Sequence, residues 1–271
     1  MSAADRGARV LLVDIGNSRL KWAIWQDGVI GPLRACAHSG WSRADYEKRV
    51  FGGERRTGLS RIVVASVAGT RVDRLFAMAA RSATGKRPEF IATSRRAAGV
   101  TTRYVDPWRL GVDRFLGAIA ARHLLGSRAA CVVNAGTTVT IDLIDAAGVH
   151  RGGAILPGPP LMVESLLKGT AGIARRARDA GSGRRSSDRS TALDLFARST
   201  KSAIRRGALH AVAAAVDRAV AQARELLGTE PVVLLSGGGA AELAPLIDSR
   251  HIEVADLVLR GIAAHAGLAT R

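Results

Sequence analysis

The sequence predicts an α/β protein that contains two similar domains. Short apolar runs rich in β-branched residues alternate with stretches of helical period, which is the pattern of α/β architecture. The chain also repeats itself at an offset of 120 residues, where residues 13–18 (VDIGNS) align with residues 133–138 (VNAGTT) and Gly28 aligns with Gly148. A repeat of this length is too long for a solenoid and suits the duplication of a whole domain.

Strands are predicted where a short apolar run ends at glycine or at polar residues. They cover residues 10–13, 20–25, 61–67, 130–133, 139–144 and 231–235. Helical period appears around Leu75, over residues 115–124 and over residues 203–227. The apolar residues of the last segment recur at spacings of three and four and predict one buried face. They are Ile204, Ala208, Val212, Ala215, Val216, Ala219 and Ala223. We place the two domains at residues 1–114 and 115–271.

Composition narrows the class of protein. The 271 residues are 47% hydrophobic and 23% charged, and no apolar run approaches the roughly 18 residues that span a bilayer. We therefore expect a globular protein of the cytoplasm that does not enter a membrane. Cys36 and Cys131 lack disulfide or metal spacing and are expected to be buried free thiols. The six histidines also lack metal-ligand spacing and are assigned to the surface or to packing.

The formal net charge of +17 raises the question of nucleic-acid binding. Arginine accounts for 35 of the 40 basic residues and is spread along the whole length. The one dense cluster, residues 175–189, contains glycine and serine and is predicted to be a solvated flexible loop, with attraction of anions as the alternative. No recognition helix, zinc spacing or aromatic RNA platform accompanies it, so specific nucleic-acid binding is not expected.

The repeated turns have the chemistry of a phosphate site. Residues 14–18 follow a buried strand and begin a hairpin, so successive backbone N–H groups surround Gly16. Asp14 would repel phosphate charge unless a cation lay between them, so we assign it to Mg²⁺. The second turn, residues 134–138, offers N–H groups and two hydroxyls, and a third glycine-rich turn at residues 236–240 can accept a phosphate or a flat ring.

Together these turns point to phosphoryl transfer, which needs positioning and charge neutralisation more than covalent chemistry. Walker A spacing is absent, and no G-x-G-x-x-G follows the first strand, which argues against a P-loop ATPase and a Rossmann dehydrogenase. Lys21 either packs along the strand end or reaches a phosphate, and the residues leave both possibilities open.

Asp113 is the candidate general base. It lies in the first turn of the predicted helix that carries Phe115 and Ile119. Complementing the helix dipole is the default role of an acid in this position, and the same dipole would keep Asp113 ionised. The neighbouring Arg114 could bind an acidic substrate or the transferring phosphoryl group.

Five segments, in the right order over nearly the entire chain, strongly resemble the type III pantothenate kinases, some of which have been called Bvg accessory factor proteins. They are residues 14–18, 104–114 with a Gly-x-Asp-Arg core, 135–137, 152–158 with a glycine-rich turn, and 236–238. The resemblance implies the ribonuclease H-like, duplicated fold of the actin, sugar-kinase and heat-shock-chaperone superfamily, and a homodimer. It implies ATP-dependent phosphorylation of pantothenate to 4′-phosphopantothenate, the first step of coenzyme A biosynthesis. The family fold also allows residues 254–268 to pack on the first domain.

The resemblance assigns roles to individual residues. Asp113 matches the family's catalytic base, and Asp14 matches a position associated with Mg²⁺. The positions that match contacts with pantothenate are Tyr104, Gly111, Val112, Asp113, Arg114 and Thr200. Those expected to bind the phosphates or adenosine of ATP are Asp14, Ile15, Gly16, Asn17, Ser18, Arg19, Leu20, Lys21, Gly136, Thr137, Thr138, Gly237 and Gly238.

One position departs from the family pattern. Where the family usually has an aspartate that binds a monovalent cation, this chain has Asn134, so we predict a weakened or absent requirement for K⁺ or NH₄⁺. Two alternatives to a pantothenate kinase stay open. One is a regulatory or nucleic-acid-binding protein that retains the nucleotide fold, and the other is a kinase for another small hydroxyl substrate.

Overall fold

The computed structural model describes residues 7–53, 57–179 and 194–270. Its strands are β1 Arg9–Ile15, β2 Arg19–Gln26, β3 Val29–Ile30, β4 Arg34–Ala37, β5 Leu59–Ser66, β6 Glu89–Phe90, β7 Arg96–Ala97, β8 Val100–Thr102, β9 Ala130–Ala135, β10 Thr138–Ile144, β11 Val149–Pro157, β12 Val232–Ser236 and β13 His251–Glu253. Its α-helices are α1 Arg43–Val50, α2 Thr70–Thr84, α3 Val112–Leu125, α4 Pro159–Gly169, α5 Ala171–Asp179, α6 Thr200–Leu227, α7 Ala240–Leu243 and α8 Leu257–His265.

The contacts divide the chain into two compact units. Unit 1 comprises the described residues of Met1–Arg128, Ile144–Gly152 and Asp256–Arg271, and unit 2 comprises those of Ala129–Leu143 and Gly153–Ala255. The sequence-based boundary at 114/115 differs from this division, because α3 packs against α8 and β5 and stays with unit 1. A Cβ on Gly261 of α8 would lie 2.0 Å from the carbonyl oxygen of Leu116 in α3, so glycine permits this close approach.

Unit 1 contains a sheet in the order β3-β2-β1-β5-β6, with β4 pairing with β2. Strands β1 and β2 are antiparallel, whereas β5 is parallel to β1 and β6 is parallel to β5. The core between this sheet and helices α1 and α2 is rich in aromatic side chains, including Tyr46, Phe51 and Phe76. The first residues of β11 pair with β8, which places His150 opposite Thr102.

Unit 2 has its strands in the order β13-β12-β9-β10-β11, and β12 is parallel to both β9 and β13. Helix α6 packs its apolar face on this sheet, as its spacing predicts. Val212, Val216 and Ala223 are buried on that face. The face also takes in Leu209 and Val220, because the buried stripe of a straight helix drifts slowly around its axis.

The two sheets share one strand order, which supports the duplication inferred from the repeat. Strands β2-β1-β5-β6 of unit 1 correspond to β10-β9-β12-β13 of unit 2. The first turns differ in length, since the N–H of Gly16 donates to the carbonyl of Arg19 (3.0 Å) but that of Gly136 donates to the carbonyl of Thr138 (3.0 Å). The first repeated turn, residues 16–18, is therefore one residue longer than the second, residues 136–137.

All six predicted strands and the predicted helices are present, and the bounds of each strand differ from the predicted ones by two residues at most. Two expectations were wrong. Residues 152–157 continue β11 and do not form a turn, and residues 175–179 lie in α5 and not in a loop. The rest of the basic cluster, residues 180–189, lies outside the described residues. None of the helices in the described part of the chain is long and apolar enough to cross a membrane.

The two cysteines and the two tryptophans of β2 differ in how deeply they are buried. Cys36 and Cys131 are both free, but only Cys131 is fully buried, and burial raises its thiol pKa to about 12. Cys36 is half-buried in β4. Trp22 and Trp25 are buried in β2, and the Trp25 indole donates to the carbonyl of Ala269 (3.0 Å). Trp22 and Trp25 therefore serve packing.

Candidate active site

The first repeated turn places Asp14 at the end of β1 with its side chain buried. Asp14 is only 8% exposed, and burial is the main reason that its pKa rises from an ordinary 3.8 to about 6. Lys21 lies directly across the β1–β2 ladder from Asp14, so both side chains share one face of the sheet. The charge of Lys21 lowers the Asp14 pKa and partly opposes the effect of burial. The geometry thus places Lys21 beside the acid of the turn.

The same turn holds Gly16 in a tight conformation. A Cβ at this position would lie 3.1 Å from the carbonyl oxygen of Arg19. The side chains of Ile15 and Leu20, on either side of the turn, are fully buried in the unit 1 core. Any contact that these two residues make with a phosphate would have to come from the backbone.

Asp113 lies in the first turn of α3, where the sequence predicts it. Its Oδ1 accepts a hydrogen bond from the backbone N–H of Arg114 (2.9 Å). A Cβ on the helix N-cap, Gly111, would lie 2.7 Å from the same Oδ1, so glycine makes room for the folded-back carboxylate. Asp113 is half-buried at the positive end of the helix dipole. The hydrogen bond thus holds the Asp113 carboxylate in place while the residue stays partly exposed.

Asp14 and Asp113 lie close enough to interact electrostatically. The charge of Asp113 raises the pKa of Asp14, after burial and in opposition to Lys21. The fold of unit 1 therefore brings together a phosphate turn and a candidate base that are 99 residues apart in the sequence. Two carboxylates that repel each other in this way favour either a shared proton or a bound cation.

Tyr104 and Arg114 form one polar cluster in unit 1. The Arg114 guanidinium is buried, donates to the Tyr104 hydroxyl (2.9 Å), and lies 5.7 Å from the centre of the Tyr104 ring. On the other side of the cluster, His150 is fully buried, with its ring 5.8 Å from that of Tyr104 and its Nδ1 3.3 Å from the Thr102 hydroxyl. A buried guanidinium beside a phenol can recognise a carboxylate or phosphate group.

The segment that carries Tyr104 is held by two residues that sequence reasoning missed. The guanidinium of Arg95 donates to three backbone carbonyls: Nη1 to Thr102 (3.2 Å) and Tyr104 (2.6 Å), and Nη2 to Val105 (2.9 Å). The Thr93 hydroxyl donates to the carbonyl of Leu110 (2.9 Å) at the far end of the segment. Nothing in the residue types signals these roles, because both act through backbone carbonyls.

In unit 2 the second repeated turn is enclosed by two glycines. A Cβ on Gly158 would lie 2.4 Å from the carbonyl oxygen of Gly136, and one on Gly237 would lie 2.2 Å from that of Ala135. Gly237 has a φ of +102°, in the region that side chains rarely adopt. The third glycine-rich turn follows β12 and leads into α7. Gly136 and Thr137 therefore lie against Gly158, and Ala135, directly before them, lies against Gly237.

The remaining candidates of unit 2 occupy two separate positions. Asn134 lies near the end of β9, in register with the buried Ser236 of β12. Thr200 is the first residue of α6, directly after the N-cap Ser199, whose hydroxyl accepts from the N–H of Ser202 (3.2 Å). Thr200 thus belongs to unit 2, whereas the other proposed pantothenate contacts, Tyr104 and Gly111–Arg114, belong to unit 1.

The donor set of unit 1 fits Mg²⁺ of the kind that nucleotides carry. Among the described residues, no cluster of three or more His, Cys, Asp or Glu side chains could hold a metal by itself. Mg²⁺ in kinases typically takes one or two carboxylates and completes its shell with phosphate oxygens and water. Asp14 supplies one such carboxylate, and a cation would relieve the cost of burying its charge.

Solved structures with similar folds support the architecture. A Baf family transcriptional activator from Campylobacter jejuni matches with a TM-score of 0.53 at 20% identity, over 95% of this chain and 98% of that one. A ROK family glucokinase from Streptomyces griseus, in complex with glucose and AMPPNP, matches with a TM-score of 0.50 at 11% identity, over 94% and 98%. At these identities the likeness shows the fold alone, and it confirms the predicted α/β fold class.

Sequence comparison identifies the family. The model of the type III pantothenate kinase family matches residues 10–222. A type III pantothenate kinase of Aromatoleum aromaticum is 36% identical over 256 residues, which are 94% of this chain and 96% of the relative. Another, from Nitrosococcus oceani, is 32% identical over 259 residues, or 94% of this chain and 92% of the relative. The chain therefore belongs to the type III pantothenate kinase family.

Proposed function

We propose that this protein transfers the γ-phosphate of ATP to the terminal hydroxyl of pantothenate, which gives 4′-phosphopantothenate for coenzyme A biosynthesis. Family membership supports the reaction. The observation that carries the assignment of residues is the pairing of Asp113, at the start of α3, with the phosphate turn that holds Asp14. A kinase needs a proton acceptor and a phosphate site next to each other, and this pairing supports Asp113 and the Asp14 turn in those roles.

Asp113 is the general base of the proposed reaction. Its carboxylate accepts the proton of the pantothenate hydroxyl as the oxygen attacks the γ-phosphorus and the bond to the β-phosphate oxygen breaks. The hydrogen bond from the Arg114 N–H fixes the carboxylate, and the glycine at 111 leaves it room. Arg114 and Tyr104 bind and orient pantothenate, and Thr200, Gly111 and Val112 add further contacts.

Backbone N–H groups of residues 15–20, with Ser18, Arg19 and Lys21, bind the phosphates of ATP in this scheme. Within unit 2, Gly136, Thr137 and Thr138 supply N–H and hydroxyl groups for phosphate, and Gly237 and Gly238 accommodate the adenosine. Asp14 would hold Mg²⁺ directly or through water. When bound, this ion supplies positive charge to the phosphate oxygens.

Asn134 affects the expected requirement for a monovalent cation. An amide oxygen can bind K⁺ or NH₄⁺ but lacks the negative charge of the aspartate usual in the family. We therefore expect a weakened requirement or none.

A homodimer completes the proposal. Helix α4 is apolar, yet within the described part of the chain it buries none of its side chains. Leu166 of this helix is 42% exposed, and Ile155, shortly before it in β11, is 63% exposed. Apolar surface on an otherwise charged protein supports contact with a second copy.

The test is ADP release from Mg-ATP by the purified protein, with and without pantothenate, in potassium, ammonium and sodium buffers. We expect turnover that depends on pantothenate and differs little among the three cations. A large activation by potassium over sodium would contradict the role given to Asn134. Folded protein that binds ATP but never turns over with pantothenate would favour another hydroxyl substrate or the regulatory alternative.

A further inference from the structure

The phosphate turn of unit 1 is supported from behind by a buried histidine. His38 follows β4, is 4% exposed, and has hydrogen-bond partners on both ring nitrogens. Its Nε2 lies 2.7 Å from the carbonyl oxygen of Gly16, and its Nδ1 lies 3.0 Å from the Tyr46 hydroxyl. The proposed reaction gives His38 no role.

The partners fix the tautomer of His38. A carbonyl oxygen can only accept, so Nε2 carries the proton and donates to Gly16. In the neutral ring Nδ1 then accepts from the Tyr46 hydroxyl. Burial raises the pKa of Tyr46 to about 12, with smaller contributions from Asp73 and Cys36, so this hydroxyl keeps its proton. The result is a directed chain of two hydrogen bonds, from Tyr46 through His38 to Gly16.

The far end of this chain is anchored in the core. The Tyr46 ring lies 5.0 Å from Trp41 and 5.8 Å from Phe76, both edge-on, and the backbone N–H of Trp41 donates to the carbonyl of His38 (3.1 Å). Helix α1, which carries Tyr46, begins with a capping box between Ser42 and Asp45. Tyr46 is thus held rigidly by its packing, and its hydroxyl fixes the orientation of the His38 ring.

The hydrogen bond to Gly16 has a consequence on the opposite side of the turn. In a planar trans peptide, the carbonyl and the following N–H point in opposite directions. Because His38 holds the Gly16 carbonyl, the N–H of Asn17 points away from the core. In the proposed function this N–H is one of the phosphate donors. We infer that His38 is a positioning residue, which orients the Gly16–Asn17 peptide so that its N–H faces the phosphates of ATP.

This inference rests on the proposed function for the reaction but can be tested without it. Mg-ADP binding, measured by calorimetry in the absence of pantothenate, reports on the turn even if pantothenate is not the substrate. With turnover, KM for Mg-ATP and KM for pantothenate are measured separately. A lesion that acts only on the phosphate turn should raise KM for Mg-ATP and the Kd for Mg-ADP, and leave KM for pantothenate unchanged.

Three variants follow the chain of hydrogen bonds. His38→Leu removes both bonds and should raise the Kd for Mg-ADP about tenfold, and Tyr46→Phe removes only the hydroxyl and should raise it roughly threefold. His38→Gln retains an amide N–H that reaches about as far as Nε2 and should restore most of the affinity. Phe76→Leu is the control, because it disturbs the packing of Tyr46 without contacting His38.

The thermal midpoint of each variant separates folding from positioning. Phe76→Leu should lower the midpoint but keep both KM values within about twofold of wild type, because its cavity lies in the core. If His38→Leu does not fold, Tyr46→Phe and His38→Gln decide the question. A folded His38→Leu with wild-type affinity for Mg-ADP would overturn the inference. So would His38→Gln binding as weakly as His38→Leu, or Phe76→Leu weakening Mg-ADP as much as Tyr46→Phe.

Discussion

Asp113 is the side chain on which the proposed reaction most depends. Asp113→Asn keeps the oxygen that accepts from the Arg114 N–H, so the start of α3 should remain folded. It removes the proton acceptor, and general-base catalysis typically contributes about 10²–10⁴-fold. We expect kcat to fall by at least about 100-fold, with Mg-ADP affinity and thermal midpoint near those of wild type.

The control for this change is Asp45→Asn, another acid in the first turn of a helix. Asp45 accepts from the N–H and hydroxyl of Ser42 in the capping box of α1, and it has no role in the proposed reaction. This variant should lower the thermal midpoint but leave kcat intact. If Asp113→Asn retains full activity, the base must be another residue.

The burial of Asp14 predicts a stability that depends on pH. Its pKa in the folded protein, about 6, is above the ordinary 3.8, so the folded state binds the proton more tightly than the unfolded state. Ionisation of Asp14 therefore opposes folding, and the penalty develops as pH rises from about 4 to about 6. A difference between 3.8 and about 6 corresponds to roughly 3 kcal/mol at most above pH 6.

Asp14→Asn should accordingly stabilise the protein without ligand while it abolishes activity. The thermal midpoint of the variant should exceed that of wild type by several degrees at pH 8, and the gap should close near pH 4, where Asp14 is protonated. Midpoints are measured without nucleotide or Mg²⁺, since both would offset the penalty in wild type. An Asn variant less stable than wild type at pH 8 would show that ionised Asp14 is stabilised by its surroundings, chiefly Lys21.

The sequence identified the residues that have distinctive chemistry and missed those that act through the backbone. Asp14 was found because its turn recurs at residues 134–138, and Asp113 and Arg114 because they match the Gly-x-Asp-Arg segment of the family. Arg95 and His38 were not, because an arginine after a loop and a histidine after a strand are compatible with any surface or core. Their partners are carbonyl oxygens, which every residue possesses, so only the fold reveals the contact.

The turn after β12 gives a prediction about Gly237. Gly237→Ala places a Cβ 2.2 Å from the Ala135 carbonyl oxygen and a side chain at a φ of +102°. The turn must shift, at a cost of at least about 1–2 kcal/mol from the backbone conformation alone. We expect a lower thermal midpoint and a KM for Mg-ATP raised at least about tenfold.

Gly238→Ala is the matched comparison one residue along. No atom lies within 4 Å of a Cβ there, so the thermal midpoint should not change. A rise in KM for Mg-ATP without loss of stability would then indicate that the nucleotide lies directly against Gly238. Equal losses of stability in both variants would contradict the close approach of Gly237 to β9.

The segment before α3 that carries Tyr104 is held by the three hydrogen bonds that the Arg95 guanidinium donates to backbone carbonyls. Lysine keeps the charge but cannot donate in a fixed fork to three carbonyls at once. Arg95→Lys should therefore loosen the segment that carries Tyr104 and raise KM for pantothenate about tenfold, with KM for Mg-ATP within about twofold of wild type. The control is Arg96→Lys, an exposed neighbour in β7. Equal effects on both substrates would argue against a specific role in holding Tyr104.

Strand and helix positions were predictable because burial imposes a period on the sequence. The unit to which each helix belongs was not predictable in this way. The hairpins β1–β2 and β9–β10 appear as apolar runs separated by polar turns. The boundary was misplaced because α3 joins unit 1 through contacts with α8, which is more than 130 residues away in the chain. Residues 152–157 were assigned to a turn for their glycines, yet they form part of β11, where strand pairing overrides local preference.

The two units share one topology, but the candidate residues at their equivalent turns differ in charge. Both units repeat a hairpin followed by two parallel strands, and each ends its first strand at a turn. Unit 1 places acids at and beside that turn, whereas the corresponding position in unit 2 is Asn134 and the turn is lined by glycine and threonine. The turn of one copy thus carries acids, whereas the turn of the other copy carries N–H and hydroxyl donors.

The charge of the entire chain gives the last prediction. A net charge of +17 attracts any polyanion, so duplex DNA should bind without regard to sequence. Fluorescence anisotropy with two unrelated duplexes should give equal affinities, and binding through about six phosphates should weaken roughly 10³-fold between about 50 and 200 mM salt. Asp113→Asn should bind like wild type. One duplex preferred by about 10³-fold or more at physiological salt would instead support the regulatory alternative, because nonspecific charge attraction cannot discriminate sequences.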